Sequence, residues 1–158
     1  MTTYKSNYSK SVTIISYLGT LLIFLFFTSL FATNSITLST SVKIGLALIT
    51  TIVTLFLFVN SLQKIDVSDD FILLKKRLFS KKINLNEIIK AERVTSSNIP
   101  SIFSTQGFWG FNGFQMDGGI TMINDRTKMI RIQTTTETYI ISCDRPEEFV
   151  LNLNECLK

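Results

Sequence analysis

Two long apolar stretches without a charged residue lie close together in residues 1–62. Residues 12–31 supply about the 20 apolar positions that a helix needs to cross a hydrocarbon core of about 30 Å. A polar segment follows, and a second charge-free run continues beyond Lys43 to residue 62. A cleaved signal peptide is disfavoured for the first run, because its apolar part exceeds roughly 7 to 15 residues and a second run follows. The pattern predicts a transmembrane helical hairpin at residues 11–62, with spans at about 12–31 and 43–62.

Basic residues flank this hairpin unequally. Lys43 lies by the connecting loop, whereas the other ends of the two spans carry Lys5, Lys10, Lys64, Lys75, Lys76 and Arg77. Lysine and arginine are enriched in cytoplasmic segments next to membrane spans. We therefore expect both termini in the cytoplasm, with residues 1–10 as a cytoplasmic tail and residues 63–158 as a cytoplasmic domain.

The composition disfavours several functional classes. Histidine is absent, which removes the commonest general base and metal ligand. The two cysteines, Cys143 and Cys156, are too few for a disulfide framework and lack zinc-site spacing, so we expect small buried thiols. Most of the net charge of +4 belongs to the apolar part, which disfavours a nucleic-acid partner. We predict a non-catalytic protein without a metal or other cofactor.

After Lys64 the pattern changes to short apolar runs separated by turn residues. Ile130 and Ile132 alternate with polar neighbours, as in a strand with one buried face. Near the end, Asp144 has the position of a helix cap and Pro146 that of a first helical turn, and apolar residues then recur at helical spacing. The sequence predicts a mainly-β domain of about seven antiparallel strands closed by a C-terminal α-helix.

Four segments carry a family resemblance: KIDVSDDFILLKKRL, INLNEII, GFWGFNGF and TYIISCDRPEEFV. With the paired apolar runs before them, they resemble membrane-anchored bacterial pleckstrin-homology (PH)-like domain proteins. The resemblance covers nearly the whole chain. It implies a PH-like domain held at the cytoplasmic face of a bacterial inner membrane by the two-helix hairpin.

The glycine-rich run places four large aromatic residues between three glycines, and these are Phe108, Trp109, Phe111 and Phe114. One interpretation is that some rings fill the open end of a small barrel while the glycines permit tight turns. The other is an aromatic surface that contacts a protein partner or enters the membrane interface, where tryptophan is favoured. These four residues are the candidate partner-binding site.

Five basic residues cluster around one predicted turn close to the second span, namely Lys75, Lys76, Arg77, Lys81 and Lys82. They are either a solvated hairpin or a lipid-facing surface for anionic headgroups. The leading functional hypothesis is a membrane-anchored, non-catalytic binding or scaffolding module that recruits or regulates another envelope protein. The alternative is an envelope-stress or self-immunity factor that gives tolerance to membrane-active peptides. Tethering in two dimensions raises local concentration, which is compatible with homo-oligomers.

Overall fold

The computed structural model describes residues 1–32, 39–95, 102–105, 107–115 and 118–157. Its two long helices are α1 (Lys10–Ala32) and α2 (Thr40–Val59). Both are long and apolar enough to cross a membrane. The second helix ends three residues before the predicted boundary, at Val59, because Asn60 terminates it as its C-cap. Both predicted apolar helices are therefore present.

The first sheet has four strands and contains the N-terminus of the chain. Its strands, all antiparallel and in spatial order, are β1 (Thr2–Lys5), β2 (Leu62–Val67), β3 (Phe71–Lys76) and β4 (Ser80–Asn84). The segment predicted as an N-terminal tail thus contains an edge strand of this sheet. Tyr4 of β1 is completely buried and lies opposite Ile65, so the start of the chain contributes to the core.

A short 3₁₀ turn, Leu85–Glu87, leads into a second sheet of six strands. In chain order they are β5 (Ile88–Val94), β6 (Ile102–Ser104), β7 (Phe111–Gln115), β8 (Ile120–Ile123), β9 (Met129–Thr134) and β10 (Thr138–Ser142). Their spatial order is β5-β9-β10-β8-β7-β6, and β8 pairs with β10 in parallel.

The strand pattern differs from the prediction of about seven strands, all antiparallel. The additional strands come from the N-terminal segment and from the region around the glycine-rich run. The parallel pair arises because β8 lies beside β10, and β9 joins β10 on the other side, between β10 and β5. The mainly-β domain is confirmed, but its strand number and orientation depend on long-range pairing.

The chain closes with helix α3 (Pro146–Cys156), and Pro146 occupies its first turn as predicted. Arg145, not Asp144, is the N-cap residue, and it makes no side-chain capping bond. Asp144 instead accepts a hydrogen bond from the backbone N–H of Lys5 at 3.1 Å. Its carboxylate holds the edge strand β1 in place, so the capping prediction was wrong.

The hydrophobic core lies between the two sheets and under α3. Phe149 and Leu153 of α3 are fully buried, and the Phe149 ring makes an edge contact with Tyr4 at a centroid distance of 5.1 Å. A register shift between residues 62 and 64 of β2 turns Leu62 into the core while Lys64 stays on the outer face. This shift determines which side chains of β2 face outward near the ends of α1 and α2.

Candidate functional site

The glycine-rich run forms a tight loop against the helices. Gly107, Trp109 and Gly110 have φ angles of +93°, +55° and +95°, a region that glycine adopts readily and a bulky residue rarely does. A side chain at Gly110 would have its Cβ only 2.8 Å from Oδ1 of Asn124. Glycine at this position therefore permits both the turn and the close approach to the rest of the domain.

Trp109 lies at the junction between the helices and the β-domain. Its ring makes edge contacts with Phe58 at 4.8 Å, Tyr17 at 5.8 Å and Tyr8 at 6.2 Å between centroids. Tyr17 belongs to α1 and Phe58 to α2, so one indole bridges both helices. Such pairs contribute about 0.5–1.5 kcal/mol each beyond burial of their area. Trp109 thus holds the domain against the two helix ends.

Polar and steric contacts support this docking. The backbone N–H of Trp109 donates to Oγ of Ser16 at 2.8 Å, and Ser16 is buried within α1. The Phe108 ring packs on Gly19 of α1, where a Cβ would lie 2.8 Å from Cε2 of the ring. A small residue in α1 is therefore required where the ring approaches the helix.

The other two aromatic residues point to different environments. Phe111 packs against a small cluster that includes Ile123 and Met129, so it contributes to the core. Phe114 is 65% exposed on β7. It lines a mostly apolar groove of about 210 Å³ together with Phe56 of α2. Three of the four candidate aromatics are thus packed within the protein, and Phe114 presents the exposed ring.

Asn124 ties the helix ends to the β-domain. Its side-chain N–H groups donate to the carbonyl oxygens of Leu62 at 2.6 Å and Ser6 at 2.8 Å. The backbone carbonyl oxygen of Asn124 accepts a hydrogen bond from the backbone N–H of Ser9, and its backbone N–H donates to Oγ of Ser142. The residue is fully buried, and its Oδ1 atom has no hydrogen-bond partner among the described residues. No local pattern in the sequence indicates this role.

Of the five candidate basic residues, Lys75 is committed to an internal ion pair. Its ammonium lies 2.7 Å from Asp66, whose side chain is 2% exposed. Burial by itself would raise the pKa of Asp66, but hydrogen bonds from Lys75 and Thr3 and the nearby positive charges outweigh it. The pKa of Asp66 therefore lies below its ordinary value, and the pair stabilises the first sheet.

Lys76 and Arg77 lie beside the end of α2. Burial lowers the pKa of Lys76, and its ammonium is 3.4 Å from Oδ1 of Asn60. The Arg77 guanidinium stacks over the Phe58 ring at 3.9 Å, and its backbone N–H donates to the carbonyl of Val59. Both cations are placed at the end of α2 that meets the β-domain.

Lys81 and Lys82 point elsewhere. Lys81 lies 3.8 Å from Glu137 in the turn between β9 and β10, and Lys82 covers the Phe71 ring at 4.3 Å. The five residues therefore do not form one surface. Arg77 instead lines an open cavity together with Lys5 and Lys64, two cations that the candidate set omitted. The β-forming residues of Thr2–Lys5 favour a strand there, but they do not indicate that Lys5 pairs with Lys64.

Acidic and thiol side chains offer no metal centre within the described part of the chain, where His, Cys, Asp and Glu form no group of three or more. Cys143 is buried, which raises the pKa of its thiol to about 12. Cys156 is exposed, contrary to the prediction that both thiols are buried. Cys156 lies at the end of α3, where its side chain reaches solvent.

No protein-family model, curated protein or solved structure matches this chain. Function is therefore inferred from the geometry at the junction of the helices and the β-domain.

Proposed function

We propose that the chain is a membrane-anchored, non-catalytic binding module that recruits or regulates another protein in a bacterial inner membrane. In this proposal α1 and α2 span the bilayer and the β-domain is a PH-like domain on the cytoplasmic side. Two sheets closed by a C-terminal helix support the PH-like assignment. The exposed Phe114 beside α2 is the observation that carries the binding function.

The surface of the two helices supports their placement in lipid. Large apolar side chains are exposed along their lengths, among them Ile14, Phe24, Leu48, Ile52 and Phe56. Exposure of so much apolar surface to water is strongly unfavourable, whereas the hydrocarbon core of a bilayer accommodates it. Lys43 at the start of α2 donates to the carbonyl of Leu30, which closes the far end of the hairpin.

The pairing of β1 with β2 supports the proposed orientation. Residues before α1 and after α2 join the same sheet, so the segments that flank the hairpin lie on one side of the proposed membrane. Lys5, Lys64 and Arg77 are on that side, and Lys43 is at the opposite end. This distribution agrees with the preference of basic residues for the cytoplasm.

Docking of Trp109 on both helices restricts how the domain is oriented. Its contacts to Tyr17 and Phe58 resist rotation of the domain about the helix ends. A domain held in one orientation presents the same face to every neighbour in the plane of the membrane. The order of the interface is then established before a partner arrives, which reduces the entropic cost of binding.

Phe114 is the residue that a membrane partner would meet. The groove that it lines is also lined by Phe56 and Leu57 of α2 and by Ile120 and Met122 of β8. A partner helix packed along α2 would contact Phe114 where the helix leaves the bilayer. Aromatic residues at such positions contribute a large share of binding energy.

In-cell photocrosslinking tests this proposal in the full-length chain. A photoreactive residue replaces Phe114 in one variant and Ile89, which is 60% exposed on β5, in the control. We expect a discrete protein adduct from position 114 that is absent from position 89. Lipid adducts alone, or the same adducts from both positions, would contradict a protein partner at this surface.

A further inference from the structure

An open cavity of about 340 Å³ lies where α1 begins and where β2 follows α2. Three cations, Lys5, Lys64 and Arg77, contribute to its wall. The described residues that line it include no carboxylate. Three positive charges around one concave surface produce a potential that attracts anions.

The sheet register forces two of these cations together. Lys5 of β1 and Lys64 of β2 are direct cross-strand partners. Like charges at such positions are destabilising. Neither ammonium has a carboxylate within 4 Å among the described residues, and the nearby Asp66 is paired with Lys75. The repulsion between Lys5 and Lys64 would be relieved by an anion bound between them.

The third cation is held in place before any ligand binds. The Arg77 guanidinium stacks on Phe58 and contacts the side-chain amide of Gln63 at 3.1 to 3.3 Å. Gln63 also lines the cavity. A positioned guanidinium recognises two oxygens of a phosphate group at once, which an ammonium does not do. The geometry therefore favours an anion with several oxygens.

Tyr8 also lines this cavity. Its hydroxyl is buried and has no hydrogen-bond partner among the described residues, although the residue lines the cavity. A buried hydroxyl without a partner is unfavourable, and a ligand oxygen that reached it would accept its hydrogen bond. The Tyr8 ring contacts Trp109, the sole tryptophan of the chain, which supplies a fluorescent reporter near the cavity.

We propose that Lys5, Lys64 and Arg77 form a binding site for a phosphate-bearing anion at the junction of the hairpin and the β-domain. The phosphate belongs either to an anionic lipid headgroup or to a small soluble molecule. Only the lipid source rests on the proposed function, because it requires the cavity to lie at the membrane surface. Basic pockets beside transmembrane helices bind lipid headgroups in this way.

The full-length protein in lipid nanodiscs distinguishes the two sources. In the first set, discs of zwitterionic phosphatidylcholine are measured with added inorganic phosphate and, as the reference, with chloride at equal ionic strength. In the second set, the discs contain phosphatidylglycerol and no phosphate is added. The emission of Trp109 is used to measure the melting temperature. A ligand that binds only the folded protein raises the melting temperature. A rise only with phosphatidylglycerol assigns the lipid, and a rise with inorganic phosphate assigns a soluble ligand. No rise in either set overturns the site.

A charge-matched pair of variants tests the residues. Lys5→Gln with Lys64→Gln should weaken binding at least about tenfold, because two of the three cations of the site are removed. Lys81→Gln with Lys82→Gln removes the same charge from the same sheet and should leave binding unchanged. Without anion, the first variant should melt no lower than the wild type, because the repulsion is gone. A lower melting temperature, or equal loss of binding in both variants, would show that the lysines do not form this site.

Discussion

Replacement of Asn124 should loosen the attachment of both helix ends to the β-domain. Asn124→Ala removes the donors to the carbonyls of Leu62 and Ser6, and burial leaves those oxygens without water. Each of the two carbonyl oxygens left unsatisfied costs about 1–3 kcal/mol, and loss of the Asn124 Oδ1 atom, itself buried without a partner among the described residues, offsets part of that cost. We therefore expect the free energy of unfolding to fall by about 2–4 kcal/mol.

Asn124→Asp sharpens this prediction. The aspartate has nearly the same shape, but at neutral pH its carboxylate would face the two carbonyl oxygens that the amide now satisfies. Charge repulsion and burial then add to the lost bonds. Asn124→Asp should therefore destabilise the protein more than Asn124→Ala does. If only the shape of the side chain mattered, the aspartate variant would be the more stable of the two.

Urea unfolding of the full-length protein in mild detergent micelles measures both effects, with Trp109 emission and circular dichroism as probes. Asn86→Ala, at an exposed position in the 3₁₀ turn between the sheets, is the control and should change stability by less than about 0.5 kcal/mol. If Asn124→Ala behaves like this control, or if the aspartate is the more stable of the two Asn124 variants, the proposed role of Asn124 is incorrect.

Three further predictions concern packing and ionisation. Gly19→Ala should displace the Phe108 ring and with it the glycine-rich run, and so shift the emission of Trp109. Gly45→Ala should leave the emission unchanged, because nothing lies within 4 Å of the added Cβ. Equal spectra for the two variants would contradict the packing of the glycine-rich run on α1. At pH 8 a maleimide should label Cys156 and leave the buried Cys143 unmodified in the folded protein, which peptide mass spectrometry would show. Rapid labelling of both cysteines would refute the burial of Cys143. Asp66→Asn should lower the stability of the protein at pH values above the ordinary aspartate pKa of 3.8. The stability difference from the wild type should vanish as the pH falls through the lower pKa of Asp66 in the folded protein, which thermal melts at a series of acidic pH values would measure. A difference that persists in acid would show that the ion pair is not its cause.

Local patterns in the sequence were sufficient for the elements that need no distant partner. Two charge-free apolar runs predicted α1 and α2 because a helix satisfies its backbone hydrogen bonds within itself. Pro146 and the apolar spacing after it predicted α3 for the same reason. The alternation around Ile130 and Ile132 predicted a strand, and both residues are fully buried.

The functional surface was harder to predict. Phe108, Trp109, Phe111 and Phe114 are adjacent in sequence, yet the first two pack on the helices, Phe111 enters the core and Phe114 is exposed. Composition identified an unusual aromatic run, but the positive φ angles of Gly107, Trp109 and Gly110 set the path of the loop that directs its rings. Its role in binding a partner stays a prediction.

The amino-acid sequence by itself determined the two apolar helices, the mainly-β domain and the closing helix, since these depend on composition and short-range periodicity. Only the tertiary structure decided that β1 completes the first sheet, that Trp109 joins the domain to both helices, and that Lys5 meets Lys64. Cross-strand register between distant segments is a collective result of packing, because a shift by one residue would turn every side chain to the other face. No local pattern records that choice, so the candidate anion site becomes visible only when the sheet is assembled.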